Sequence, residues 1–112
     1  MAFSATLMME GSIAKITMSG ELDASIAAVF QKEIEKAAAQ KAKRLVLLMS
    51  DLEYIASAGL RALVFAKQKM GSGIDIYVVG AQRQIMDTLQ MTGLDRSVIV
   101  LDTYNAGVIE NI

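Results

Sequence analysis

The chain has 112 residues, of which 54% are hydrophobic and 21% charged, enough apolar material for one folded domain and too little length for a catalytic domain joined to a separate regulatory one. Its 11 basic residues are offset by 12 acidic ones, for a net charge of −1, and they form no basic stripe, so direct nucleic-acid binding is not expected. Cysteine and histidine are both absent, which removes disulfides, thiolate nucleophiles, His-dependent catalytic pairs and the commonest metal ligands; no enzyme, metal site or cofactor is expected.

In chain order, a mixed stretch from Phe3 to Glu10 precedes Ile13 to Ser19, where Ala14, Ile16 and Met18 alternate with Ile13, Lys15, Thr17 and Ser19 as in a strand with one buried face. Glu10-Gly11-Ser12 supplies the turn of an opening hairpin. After Gly20-Glu21-Leu22, Asp23 reads as the N-cap of a helix that carries Ile26, Val29, Phe30, Ile34, Ala37 and Ala38 and ends near Gln40. A basic connection, Lys41 to Arg44, leads into Leu45-Val46-Leu47-Leu48-Met49, a continuous apolar run expected of a central strand covered on both faces. A second helix starts at Ser57, carries Leu60, Leu63, Val64 and Met70 on one side and stops at Gly71. The strand Ile74 to Val79, a helix from Gln82 to Thr92 with Gly93 behind it, a short strand from Ser97 to Leu101 and a helical tail complete the chain.

Strands alternating with helices of this length predict right-handed crossovers. The expected fold class is α/β: one domain over residues 1–112, with a mainly parallel sheet, an N-terminal hairpin strand and helices packed against it. Residues 1–10 lack the basic and then apolar pattern of a secretory signal, and no apolar run approaches the roughly 18 residues that span a bilayer. A cytoplasmic protein without membrane insertion is expected.

Chemistry concentrates in Asp51 to Leu63, which passes from the central strand through an expected loop into the second helix, where open α/β sheets place their sites. A phosphate on Ser57, in or capping the first helical turn, would meet free backbone N–H groups and the positive end of the helix dipole. Its charge, roughly −1.5 to −2, would still repel an acidic or apolar partner docking there. On spacing alone a serine at this position is more often a plain N-cap. Gly71-Ser72-Gly73 follows a helix and lacks the lysine of a phosphate-binding loop, so it reads as a helix stop. The methionines at Met18, Met49 and Met86 fall at apolar-periodic positions and read as core filler.

The pattern Asp-Leu-x-x-Ile-x-Ser-x-Gly-Leu at Asp51 to Leu60 resembles the phosphorylation loop of the STAS family, in its anti-sigma factor antagonist type. Gly20-Glu21-Leu22-Asp23 and Met91-Thr92-Gly93-Leu94 resemble two further family segments, in order and at the family's spacing. The resemblance implies that Ser57 is phosphorylated by an anti-sigma factor with serine kinase activity. It further implies that the unphosphorylated form binds that factor and releases a sigma factor, that phosphorylation breaks the complex, and that a serine phosphatase restores it. Asp23 matches the family's acidic position near the switch serine, with the N-cap reading standing beside it.

Ala56 and Ala58 depart from the family's usual aspartate and second serine, which leaves Ser57 as the one obvious acceptor in this stretch. Gly59 belongs to the signature and permits close packing, while Ala58, Arg61, Ala62 and Phe65 could form a second helix face. The expected partner-binding set is Asp23, Ala56, Ala58, Gly59, Arg61, Ala62 and Phe65. The alternative reading is a non-signalling STAS module, acting as a scaffold or as a soluble subunit of a membrane lipid transporter.

Overall fold

The computed structural model describes residues 2–71 and 73–111. Strands β1 (Ser4–Glu10) and β2 (Ile13–Leu22) form the opening hairpin, and helix α1 (Ala27–Ala39) leads to β3 (Arg44–Ile55). Helix α2 (Ser57–Met70), β4 (Asp75–Val79), α3 (Arg83–Thr92), a 3₁₀ turn (Leu94–Arg96), β5 (Ile99–Leu101) and α4 (Ala106–Ile109) follow. The sheet order is β1-β2-β3-β4-β5, antiparallel between β1 and β2 and parallel elsewhere, with β3 at the centre as expected.

Parallel strands laid down in sequential order by right-handed crossovers place every crossover helix on one face of the sheet. The core has that form. Ala14, Ile16 and Met18 of β2, Leu45, Leu47 and Met49 of β3, and Ile76 and Val78 of β4 share one cluster with Phe30 and Ile34 of α1, Leu63 of α2, and Ile85 and Leu89 of α3. The alternate residues Ile13, Val46, Tyr77 and Val79 point the other way, beneath Ile109 of α4. Burial of Ile13 makes β2 apolar on both faces at its start, where the alternation predicted only one.

A four-residue helix cannot hold itself together in water, and α4 is tied down by side chains. The Arg44 Nη1 group donates to the carbonyls of Val108 and Ile109 at 2.8 and 2.7 Å. Lys15 Nζ pairs with Glu10 at 2.6 Å and stands 4.5 Å from the centre of the Tyr104 ring, while the Tyr104 hydroxyl donates to Glu110.

Three expectations need correction. Asp23 does not cap α1, whose N-cap is Ile26 without a side-chain bond. The Asp23 carboxylate instead accepts from the backbone N–H and hydroxyl of Ser25 at 3.0 and 2.6 Å, a local turn that delays the helix to Ala27. The apolar run ending at Met49 understates β3, which continues to Ile55 because Leu52 and Ile55 are buried and pair with Gly20 and Leu22. Only Ala56 then separates strand from helix, in place of the expected loop. Val64, placed by periodicity with the core, is 43% exposed. Helix α2 stops at Gly71 (φ +103°) as predicted, while Ser72 lies outside the described residues.

Candidate functional site

The parallel pairing of β2 with β3 brings Leu22 opposite Ile55, and the N–H of Ala56 extends the ladder by donating to the Leu22 carbonyl at 2.8 Å. The chain turns directly into α2, so Ser57 is the first helical residue and not the cap. Ala56 holds the cap position in an extended conformation (φ −85°, ψ 169°), and its methyl group offers no acceptor to the first-turn N–H groups. The Ser57 side chain is exposed, and its hydroxyl forms no hydrogen bond among the described residues.

What allows α2 to start so close to the sheet is Gly59. A Cβ there would lie 2.8 Å from Leu22 Cδ2 and 2.9 Å from Ile55 Cγ1, side chains that are themselves buried. A second close approach occurs at Gly20, with φ +82°, where a Cβ would meet the Ala2 carbonyl oxygen at 2.2 Å. Register shifts on either side of Ser19-Gly20 bend β2 at this point.

On its other side the start of α2 faces the end of α3. Ser57, Leu60, Arg61 and Val64 line one wall of a shallow groove of about 300 Å³, and Thr92 and Leu94 line the opposite one. Gly93, in the left-handed conformation (φ +77°), ends α3 and turns Leu94 towards this groove. Residues 20–23, 51–60 and 91–94, far apart in sequence, therefore meet at the N-terminus of α2.

The expected partner-binding residues divide by exposure. Arg61 is exposed, whereas Ala56, Ala58 and Phe65 are half-buried, with Ala58 and Phe65 packed against the core. Gly59 and Ala62 are buried, so they shape the surface from beneath and cannot contact a partner with their side chains. Asp23 follows the last residue of β2, next to the end of β3 that leads into Ser57, but its carboxylate is engaged by Ser25 and makes no hydrogen bond to Ser57.

The sequence places Val64 on the core side of α2 and Met91 and Leu94 in a family segment, but marks none of them as a contact residue; Val64 and Leu94 line the groove and the neighbouring Met91 is 87% exposed. The signal for Met91 was present. Ile85 and Leu89 define the buried stripe of α3, and two residues beyond Leu89 the helix has turned about 200° away from it.

Among the described residues no group of acidic side chains is placed to hold a metal ion, and no helix is long and apolar enough to cross a membrane.

A family model described as STAS domain matches residues 7–107. The anti-sigma-F factor antagonist RsfB of Mycobacterium tuberculosis is 24% identical over 102 residues, covering 91% of this chain and 84% of RsfB. The crystal structure of an anti-sigma factor antagonist from Mycobacterium paratuberculosis superposes with a TM-score of 0.87 at 21% identity, covering 98% of this chain and 96% of that one. SpoIIAA, a Bacillus cell fate determinant solved in its phosphorylated form, gives a TM-score of 0.70 at 17% identity over 97% of each chain.

Proposed function

Because the chain belongs to the STAS domain family, we propose that it is an anti-sigma factor antagonist, a binding module with no catalytic step of its own, switched by phosphorylation at Ser57. The observation that carries this reading is an exposed serine at the first position of a helix whose N–H groups no side chain caps, at the junction of the three signature segments. Relatives named as antagonists support the same role.

In the unmodified state the surface offered to an anti-sigma factor consists of Ser57, Arg61, Val64, Thr92 and Leu94, a small hydroxyl set among apolar side chains and one cation. Serine-kinase activity in that factor adds a phosphate to the Ser57 oxygen. The first-turn N–H groups and the helix dipole accept the new charge, and Arg61, one turn along the same face, balances part of it. The fold is left intact while the docking surface changes from weakly cationic to anionic, and a serine phosphatase reverses the change. Ala56 and Ala58 cannot accept phosphate, so the modification falls on one oxygen.

The test is incubation of the purified protein with the serine-kinase anti-sigma factor of its own genome and ATP, followed by intact mass and site mapping. A single phosphate on Ser57, together with binding by Ser57→Ala and loss of binding by Ser57→Asp, is the expected result. Equal binding by wild type and Ser57→Asp would remove the charge switch from the mechanism.

A further inference from the structure

The groove beside Ser57 does not end at Val64. Val64 and Leu94 also line a second depression of about 290 Å³, which continues along α2 to Lys67 and is closed on the far side by Arg96 and Val98, with Leu63 and Ile76 beneath. From Ser57 to Lys67 the α2 wall rises about 15 Å, the length of three helical turns.

Its charge is one-sided. Among the described residues no carboxylate lines either depression, whereas Arg61, Lys67 and Arg96 stand along the rim. Arg61 and Arg96 are exposed and form no ion pair or hydrogen bond among the described residues. The Lys67 ammonium is held over the groove by the Ile74 carbonyl at 3.0 Å, which leaves its charge uncompensated. Elsewhere on the molecule, Lys15, Lys36 and Arg44 have carboxylate partners.

We infer that this continuous groove between α2 and residues 94–98 is the seat of an acidic amphipathic helix of the partner, about three turns long, whose carboxylates meet Arg61, Lys67 and Arg96. Apolar side chains at i, i+3, i+4 and i+7 of that helix would cover Val64, Leu94 and Val98, with its acidic residues flanking them. The inference rests on the antagonist reading for the partner's identity and adds the chemistry of the docking segment. It also gives the switch a sign: a phosphate on Ser57 repels an acidic segment and draws on Arg61, one of the three charges that hold it.

The experiment is calorimetric titration of the chain with the anti-sigma factor at low and high salt, using wild type, Ser57→Asp and Arg96→Glu. Arg96 is exposed, has no partner among the described residues and lies at the far end of the groove from Ser57, so the charge reversal should leave the melting temperature unchanged. Loss of affinity by Arg96→Glu of about tenfold or more, with wild-type affinity falling as salt rises, is the expected result. Wild-type affinity in Arg96→Glu with loss in Ser57→Asp would overturn the groove assignment and leave the antagonist reading standing.

If the anti-sigma factor fails to bind wild type, the antagonist reading falls and a second probe decides the groove. That probe is a synthetic amphipathic helix with leucines at i, i+3, i+4 and i+7 and glutamates between them, compared by amide NMR with its lysine counterpart. Shifts at Val64, Lys67, Arg96 and Val98 with the glutamate peptide alone would sustain the inference; no shifts, or equal shifts with both peptides, would overturn it.

Discussion

The two sides of the sheet use the same kinds of side chain to opposite ends. On the α4 side, Arg44, Lys15, Glu110 and Tyr104 are joined to one another, to Glu10 or to backbone carbonyls, and the apolar residues they surround, Val46, Tyr77 and Val79, lie beneath Ile109. On the α2 side, Arg61 and Arg96 form no ion pair or hydrogen bond among the described residues, and Val64 is 43% exposed. Charges paired within the fold hold a short helix in place, whereas charges unpaired among the described residues, beside exposed apolar surface, are where the proposed docking would fall. The role of an arginine here is read from its surroundings and not from its type.

If that contrast holds, the α2 side should be sensitive to packing and the α4 side to charge. The largest effect is expected from Gly59→Val, which would drive a branched side chain into Leu22 and Ile55, closer than any Cβ tolerates. Overpacking of a closed core costs about 3 kcal/mol, measurable by urea denaturation, and binding of the anti-sigma factor should fall further than stability alone explains because the start of α2 is displaced.

Next is Arg44→Met, which preserves much of the side chain's bulk and removes both hydrogen bonds to the end of α4. A loss of about 1–2 kcal/mol is expected, with hydrogen-exchange protection lost first at the N–H groups of Val108 and Ile109, which bond to the Asn105 carbonyl within α4. Binding at α2 should be unchanged, since the two sites lie on opposite faces of the sheet.

Alkaline pH probes the α4 side more gently. Burial and the hydrogen bond to Glu110 push the Tyr104 hydroxyl above its ordinary value of 10.0. Lys15 is also raised above 10.5: burial opposes the shift, but Glu10 and Tyr104 outweigh it. Both groups hold their protons more tightly in the folded chain, so the unfolded chain releases them first as pH rises. The stabilisation is therefore complete below about pH 10 and is lost as pH climbs through the folded values. Melting temperature followed across that range should decline more steeply in wild type than in Tyr104→Phe, and a parallel decline would remove Tyr104 from the tether.

Much of this architecture was legible in the residues. The run Leu45 to Met49 announces a strand covered on both faces, and Gly71 and Gly93 mark two helix ends that the structure reproduces. The extension of β3 to Ile55 was hidden because Ser50, Asp51, Glu53 and Tyr54 face solvent and break the apolar run, while the residues that make it a strand, Leu52 and Ile55, pair with a β2 that is longer than its own pattern suggests. Asp23 was misread because aspartate serves equally well in a turn that precedes a helix as in a cap that begins one. Ser57 could be singled out from its place between strand and helix together with the family pattern. The groove could not: Leu94 and Val98 reach α2 only through the left-handed turn at Gly93 and the 3₁₀ turn behind it, a tertiary approach with no local periodicity.

The smallest expected effect is the sharpest test of the contrast. Arg61→Ala and Arg96→Ala remove exposed guanidinium groups with no partners among the described residues, so each should shift stability by less than about 0.5 kcal/mol, against the larger loss from Arg44→Met. Removing two like charges from one rim should, if anything, relieve a slight repulsion, so the double variant should melt no lower than either single one. A loss comparable to that of Arg44→Met would mean that these arginines hold the fold together after all, and the distinction between partnered and unpartnered charge would no longer separate the two faces. Wild-type stability combined with weakened binding of the anti-sigma factor would place their role wholly outside the chain's own fold.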